Sequence, residues 1–442
     1  MATTKLRART AVRSGIVLLA TAVVAALTGC SSGGSSSADS GAPTGTLQMI
    51  VSSADGSDAG FRAVNAAFEK KYPGVKIQFD TISNANYPSV EASRLTAGKV
   101  DLLTAQPLQV PSYAEGSESN DAKLAASGQF VDLTKEPFMK RFTASVLTAQ
   151  AFNGKDYTMP TGLSYYTGVY YNKAIFAKYG LSVPTTWSEF LKLSATLKAD
   201  GITPLGIGGK DGWPAGLPTL AAVESAYPTL AERQQLAEDL WKQKVKLTDS
   251  TMEGILEKTS TIYSLAQQDF AGVPYASIPG DFAAGDFAMT PDGTWDNAVI
   301  ASAVGSKFDI GYFPLPMSEK ASDNKFLGGK VELRLAVPTS AKNKTAALAY
   351  LDFFSQTKNY ELFLSHAGFA PSEPGITAGA FLDAISSYTS TFQPAWDMVW
   401  TPNNKAGTAA VVPFDYTALT PLGTSTASQA AQSAQAAWAA GF

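Results

Sequence analysis

The sequence predicts an α/β fold arranged as two lobes, and three observations carry that expectation. Strand-like alternation and helical spacing follow one another within residues 46–79. Roughly 400 residues remain once an N-terminal leader is set aside, more than one hydrophobic core ordinarily serves. The chain has a single cysteine, Cys30, so no internal disulfide can stand in for a core.

The leader comes first. Lys5, Arg7, Arg9 and Arg13 form a basic start, and Gly15 to Leu27 is apolar and uncharged. That run is shorter than the ~20 residues a membrane-spanning helix needs, and basic-then-apolar is the pattern of a secretory signal peptide, residues 1–29. Leu27-Thr28-Gly29-Cys30 resembles the lipobox of bacterial lipoproteins, which implies cleavage before Cys30 and a diacylglycerol on its sulfur. Lipidation would also account for an unpaired thiol in an exported chain. Ser31 to Gly45 is almost wholly Ser, Gly, Ala and Thr, a flexible tether reaching roughly 20 Å. Without the leader's basic residues the formal charge moves from −4 to −8. A mildly acidic chain with no Lys/Arg-rich patch argues against nucleic acid as a partner.

Thr46 to Val51 places Leu47, Met49 and Val51 on one face of a strand. Phe61, Val64 and Phe68 follow at helical spacing, Pro73-Gly74 ends that helix, and Val75, Ile77 and Phe79 alternate again. A strand, a helix and a strand in so short a span make a βαβ unit with a parallel sheet. A further helix is expected near Ser89 to Ala97, and a third strand at Val100 to Leu103. Ligands of such sheets bind beyond the carboxyl ends of the strands. That rule selects Asp55 and Gln106 as grips for a hydroxyl-rich solute, with helix capping as the competing role for Asp55.

Asn153-Gly154 predicts a type I′ hairpin turn, and Tyr157 to Tyr171 has strand character. Gly180 fits the left-handed position after a short helix. Thr186-Trp187-Ser188-Glu189 matches a capping box, Thr186 at N-cap and Glu189 at N3. Trp187 then falls on the apolar face of the following helix, with Phe190, Leu191 and Leu197, and reads as core.

Asn153 to Pro160, Val169-Tyr-Tyr-Asn-Lys173 and Val183-Pro-Thr-Thr-Trp-Ser-Glu-Phe190 together resemble the family 1 extracellular solute-binding proteins, carbohydrate receptors of ABC importers. Phe287-Ala-Met-Thr-Pro-Asp-Gly-Thr-Trp295, Phe313-Pro-Leu-Pro316 and Leu327-Gly-Gly329 continue the resemblance in the same order. Val100-Asp101 stands where the family often has Pro-Asp, and the spacing after Gly329 is longer.

The resemblance implies a periplasmic-binding-protein-like fold of type II, two lobes joined by several chain crossings. Lobe one would comprise 46–162 and 330–368, and lobe two 163–329 and 369–442. Crossings are expected at Thr161 to Thr167, Phe326 to Arg334 and Gly368 to Pro374, with Gly162, Gly328, Gly329 and Gly368 absorbing rotation. Sugars offer apolar faces and rings of hydroxyls, so flat aromatic surfaces and polar partners suit them. Trp295 and Trp213 are the leading platforms, and Tyr165 or Tyr166 joins them beside a crossing. Asp296, Gly329 and Glu332 complete the candidate set, and Glu332 and Arg334 either line the site or form an ion pair. Trp396 and Trp400 are spaced i, i+4, which favours core packing for at least one.

The expected function is capture of a carbohydrate, of oligosaccharide size, for an ABC importer by a monomeric lipoprotein. It would sit on the outer face of the bacterial cell membrane and meet the permease subunits there. No cofactor, metal or catalysis is expected. His366 is the sole histidine and no Gly-x-Ser-x-Gly elbow occurs, which counts against a serine hydrolase. A glycosidase, needing only two carboxylates, and a lipoprotein presenting ligand to a membrane sensor are the alternatives.

Overall fold

A computed structural model describes residues 42–442 apart from positions 55, 115, 378 and 411. Cys30, the leader, most of the tether and Asp55 lie outside the described residues.

In chain order the strands are β1 (Gly45–Ser52), β2 (Val75–Ile82), β3 (Leu102–Ala105), β4 (Gly162–Tyr165), β5 (Gly168–Asn172) and β6 (Thr203–Leu205). They continue with β7 (Phe287–Pro291), β8 (Ile310–Pro314), β9 (Gly328–Glu332), β10 (Arg334–Ala336) and β11 (Gln393–Pro394). Three sheets result, ordered β10-β3-β1-β2, β6-β7-β5-β8 and β11-β9-β4.

The first sheet begins with the expected βαβ unit. β1 lies parallel to both β2 and β3, and β10 closes the edge antiparallel to β3. Leu47, Met49 and Val51 are fully buried. The helix Ser57–Lys71 turns Phe61, Val64 and Phe68 onto the same core, where Phe61 meets Phe363 at 4.8 Å between ring centroids. The second sheet is mixed, β5 running antiparallel to β7 and β8 while β6 is parallel to β7. Its core gathers Val169, Phe190, Leu205, Met289 and Phe313. Two sheets with separate cores make a two-lobed α/β molecule.

Local signals in the sequence map onto local structure. Asn153 and Gly154 both take positive φ, 51° and 73°, and Phe152 and Lys155 exchange backbone hydrogen bonds, as a type I′ turn requires. The Thr186 side chain caps its helix by accepting from the Glu189 N–H at 3.3 Å. The reciprocal half of the box is displaced by one residue: the Glu189 carboxylate accepts from the N–H and hydroxyl of Thr185. Trp187 is half-buried and stacks on Phe190 at 5.9 Å.

The third sheet ties together segments far apart in sequence. β4 pairs antiparallel with β9, β11 joins β9 in parallel, and Leu163 bridges to Ala370. All three stretches expected to carry crossings therefore meet in one place. Its glycines serve close approach more than rotation. A Cβ on Gly329 would sit 2.3 Å from the Ser164 carbonyl oxygen, and one on Gly162 would sit 2.7 Å from the Phe369 Cβ. Of the four glycines expected to rotate, only Gly368 has positive φ, 69°. Between β9 and β10 the chain passes from this sheet to the first through Leu333, a non-glycine residue at φ 40°.

Candidate functional site

A cavity of about 740 Å³ opens between the first sheet, the crossing sheet and the helix Leu230–Trp241, which packs on the second core, within the ~300–1,000 Å³ usual for ligand pockets. Five separate parts of the chain line it, among them Gln150 of the helix Ala144–Gln150 and Gln234 of the helix Leu230–Trp241. Gln106 and Tyr113 come from the loop after β3, Lys330 and Arg334 from β9 and β10, and Asp397 and Trp400 from the C-terminal segment. The loop after β3 ends at the helix Asn120–Ala126, anchored on the first sheet's side by Ala125. It nevertheless extends Tyr113 against Trp241 of the second core, 6.4 Å between ring centroids. One wall of the cavity thus reaches across to the other.

Beside the cavity stands an aromatic cluster. Trp295 follows β7, and its indole lies on the backbone of Gly293, where a Cβ would come within 2.4 Å of the ring. The ring is half-buried and packs against the cores of both main sheets. Its Nε1 donates to the Tyr275 hydroxyl at 3.1 Å, which donates to Asp292 Oδ1 at 3.0 Å. Trp213 meets Tyr275 edge-on at 4.6 Å and Trp295 at 6.0 Å, and remains 42% exposed. An indole that large, held at its base and open on one face, is a stacking surface.

Lys330 joins cluster and cavity. Its Nζ lies 5.0 Å from the Trp295 ring centroid and 6.0 Å from that of Tyr166, and 3.1 Å from Glu332 Oε1. The same Glu332 oxygen accepts from the Ser164 hydroxyl at 2.5 Å. The ion pair that forms is thus Lys330–Glu332, and Arg334 is left on the cavity wall.

Two further carboxyl groups near the site, Asp292 and Asp397, are perturbed by burial. Asp292 is fully buried; desolvation and then the neighbouring Asp296 push its carboxyl well above the usual range. The Gly293 N–H donates to Asp292 at 2.7 Å and partly opposes that rise. Asp397 is raised by burial, countered by the Tyr166 hydroxyl, which donates to it at 2.8 Å.

The sequence-derived candidates divide in two. Gln106, Trp213 and Trp295 present surface to the cavity or the cluster. Tyr165, Tyr166, Asp296, Gly329 and Glu332 are buried and form the frame beneath. Tyr165 packs edge-on against Phe392, whereas Tyr166 touches Trp295 at 5.3 Å. Trp396 is core, stacked on Trp400, and Trp400 also borders the cavity. Tyr275, Lys330 and Asp397 were not legible as site residues. Tyr275 sits in a single 3₁₀ turn without periodicity, and Asp397 reaches the site only through β11. Among the described residues, no group of three or more His, Cys, Asp or Glu could hold a metal ion. None of the described helices is long and apolar enough to cross a membrane.

Comparison with known proteins places this geometry in context. The family model described as bacterial extracellular solute-binding protein matches residues 52–361. The multiple sugar-binding protein of Streptococcus mutans is 24% identical over 323 residues, covering 72% of this chain and 73% of that protein. An uncharacterized ABC transporter extracellular-binding protein of Pyrococcus horikoshii is 24% identical over 366 residues, covering 80% and 79%. Among solved structures, the solute-binding protein RafE in complex with raffinose superposes with a TM-score of 0.75 at 24% identity, covering 89% of this chain and 99% of that one.

Proposed function

The chain belongs to the bacterial extracellular solute-binding proteins, and from that premise we propose that it captures a carbohydrate of oligosaccharide size for an ABC importer. The observation that carries the reading is the partly open Trp213–Tyr275–Trp295 cluster joined through Lys330 to a cavity of about 740 Å³. Indole faces suit the C–H surfaces of a pyranose, and Gln106 and Arg334 supply polar partners for its oxygens. The sugar-binding relative and the raffinose complex support the same class of solute.

In this reading lobe one comprises 46–162 and 330–368, lobe two comprises 163–329 and 369–442, and the solute lies between them. Because the chain crosses several times, closure is a bend of the β4–β9–β11 sheet and its flanking segments rather than the docking of free domains. Cys30 would carry the lipid that holds the monomer at the outer face of the cell membrane, beside the permease. No chemical step is required of the protein.

The test is calorimetric titration of the soluble mature chain against a saccharide library, after a thermal-shift screen. Saturable binding of a saccharide is expected, with micromolar affinity corresponding to about 8 kcal/mol. A library without a single binder, or hydrolysis of a bound sugar, would count against the reading. For the anchor, Cys30→Ser should move the protein out of the membrane fraction.

A further inference from the structure

Arg334 is placed with unusual care and given nothing to hold. Its backbone begins β10, directly after Leu333, whose φ of 40° lies in the left-handed region. A non-glycine residue there costs about 1 kcal/mol or more, and such strain persists where it positions a functional group. The strained residue redirects the chain between Glu332, which faces Ser164 in the crossing sheet, and Arg334, which lines the cavity.

Glu332, the carboxylate nearest in sequence, is engaged by Lys330 at 3.1 Å and by Ser164. Asp397, across the cavity, accepts from Tyr166. Glu118, further along the lining, accepts from the Gly116 N–H at 3.0 Å. Among the described residues, none forms a hydrogen bond or ion pair with the Arg334 guanidinium; Glu332 acts on it only through its charge. The side chain is half-buried, and burial draws its group down to about 10, with Glu332 opposing. It stays charged at neutral pH. A charge that is partly desolvated and unpaired is costly in the empty protein and gains most when a partner arrives.

We propose that Arg334 is the residue that selects the solute, its fork taking two adjacent acceptor oxygens of the bound saccharide, either a uronate carboxylate or two neighbouring hydroxyls. The planar guanidinium offers parallel N–H groups that match such a pair, which an ammonium cannot. This inference rests on the cavity being the solute site.

The test compares wild type, Arg334→Gln, Arg334→Lys and Trp295→Ala by calorimetry with three probes. These are raffinose, xylotriose and xylotriose carrying a glucuronate. Arg334→Gln should weaken the best-bound probe at least tenfold, and Arg334→Lys should recover less than a third of that loss. The melting temperature of empty Arg334→Gln should not fall, because an unpaired charge has been removed. If the acceptor is a carboxylate, wild type prefers the glucuronate probe and the variant loses that preference. If the acceptors are hydroxyls, the loss is equal on the neutral probe. Undiminished binding by Arg334→Gln overturns the proposal, as does full rescue by lysine or a melting temperature several degrees lower. If Trp295→Ala weakens binding while Arg334→Gln does not, the cleft reading survives and this inference alone fails. If the saccharide library as well as these probes yields no binder for wild type, both fall together.

Discussion

The Trp295 indole nitrogen donates to the Tyr275 hydroxyl at 3.1 Å. That bond fixes the tilt of the platform, because the hydroxyl is itself committed to Asp292, a carboxyl buried beneath the loop. The first prediction follows from it. Tyr275→Phe keeps the ring that packs on Trp213 and removes only the hydroxyl. A net hydrogen bond contributes about 1 kcal/mol, so saccharide affinity should fall roughly three- to tenfold. Calorimetry reads the affinity, and a change in the tryptophan emission of the empty protein reads the freed indole. Unaltered affinity with an altered emission would show that the tilt of Trp295 does not matter to the solute.

Trp213 and Trp295 differ in how cleanly they test the platform. Trp295 is half-buried and touches both cores, so Trp295→Ala should cost stability as well as at least tenfold in affinity. Trp213 is 42% exposed, and Trp213→Ala should leave the melting temperature within about two degrees, since exposed substitutions rarely exceed ~0.5 kcal/mol. Its affinity loss should still reach about fivefold, the size of one partial stacking contact. A Trp213→Ala protein that binds as wild type does would remove Trp213 from the site.

Much of the fold was legible because its signals are local. The alternation of Leu47, Met49 and Val51, the spacing of Phe61, Val64 and Phe68, and the Asn153-Gly154 pair each act within a few residues, and each appears in the structure as written. The crossing sheet could be placed by resemblance but not by pattern: Ser164 meets Gly329 and Lys330, and β11 arrives from residue 393. The site suffers the same difficulty. Trp213 and Trp295 advertise themselves by standing among glycines and prolines without helical period. The Tyr275 hydroxyl, the Lys330 ammonium and the Asp397 carboxyl gain meaning only from partners well beyond the reach of local pattern, 20 residues away for Tyr275 and 231 for Asp397.

The crossing sheet predicts contrasting outcomes for two glycine substitutions. A methyl on Gly329 would lie 2.3 Å from the Ser164 carbonyl oxygen, a backbone atom in the paired strand that cannot swing aside. Gly329→Ala should therefore destabilise by about 1–3 kcal/mol, as overpacking does. Gly254, inside the helix Ser250–Leu265, has no atom within 4 Å of where its Cβ would stand. Gly254→Ala should raise stability by about 0.5–1 kcal/mol through helix propensity alone. Urea titration of both variants checks the pair, and a neutral Gly329→Ala would mean that the sheet yields at that point.

Glu224 supplies a prediction whose direction depends on pH. It is 3% exposed in the helix Leu217–Ala226, and a Cβ on Gly328 of β9 would fall 2.0 Å from its Oε1. The Thr167 hydroxyl and the Trp396 backbone N–H are the donors nearest its carboxylate, too weakly placed to offset the burial. Burial raises the group from 4.5 to about 7, and the buried Arg233 guanidinium opposes the rise. A carboxyl whose folded value exceeds its unfolded one contributes its full stability below the unfolded value. That contribution drains away as pH climbs to the folded one and is gone above it. Glu224→Gln removes the titration, so its advantage over wild type should be smallest near pH 4.5, grow up to about pH 7, and level off above. The widening is at most about 3 kcal/mol, the attraction of Arg233 being already contained in the folded value. Glu373, likewise raised to about 7 by burial with Arg141 opposing, titrates in both proteins and cancels in the difference. Urea unfolding of both proteins at pH 5 and pH 8 decides it: a gap that does not widen between them would mean that water reaches this carboxyl beneath the crossing sheet and keeps it ionised.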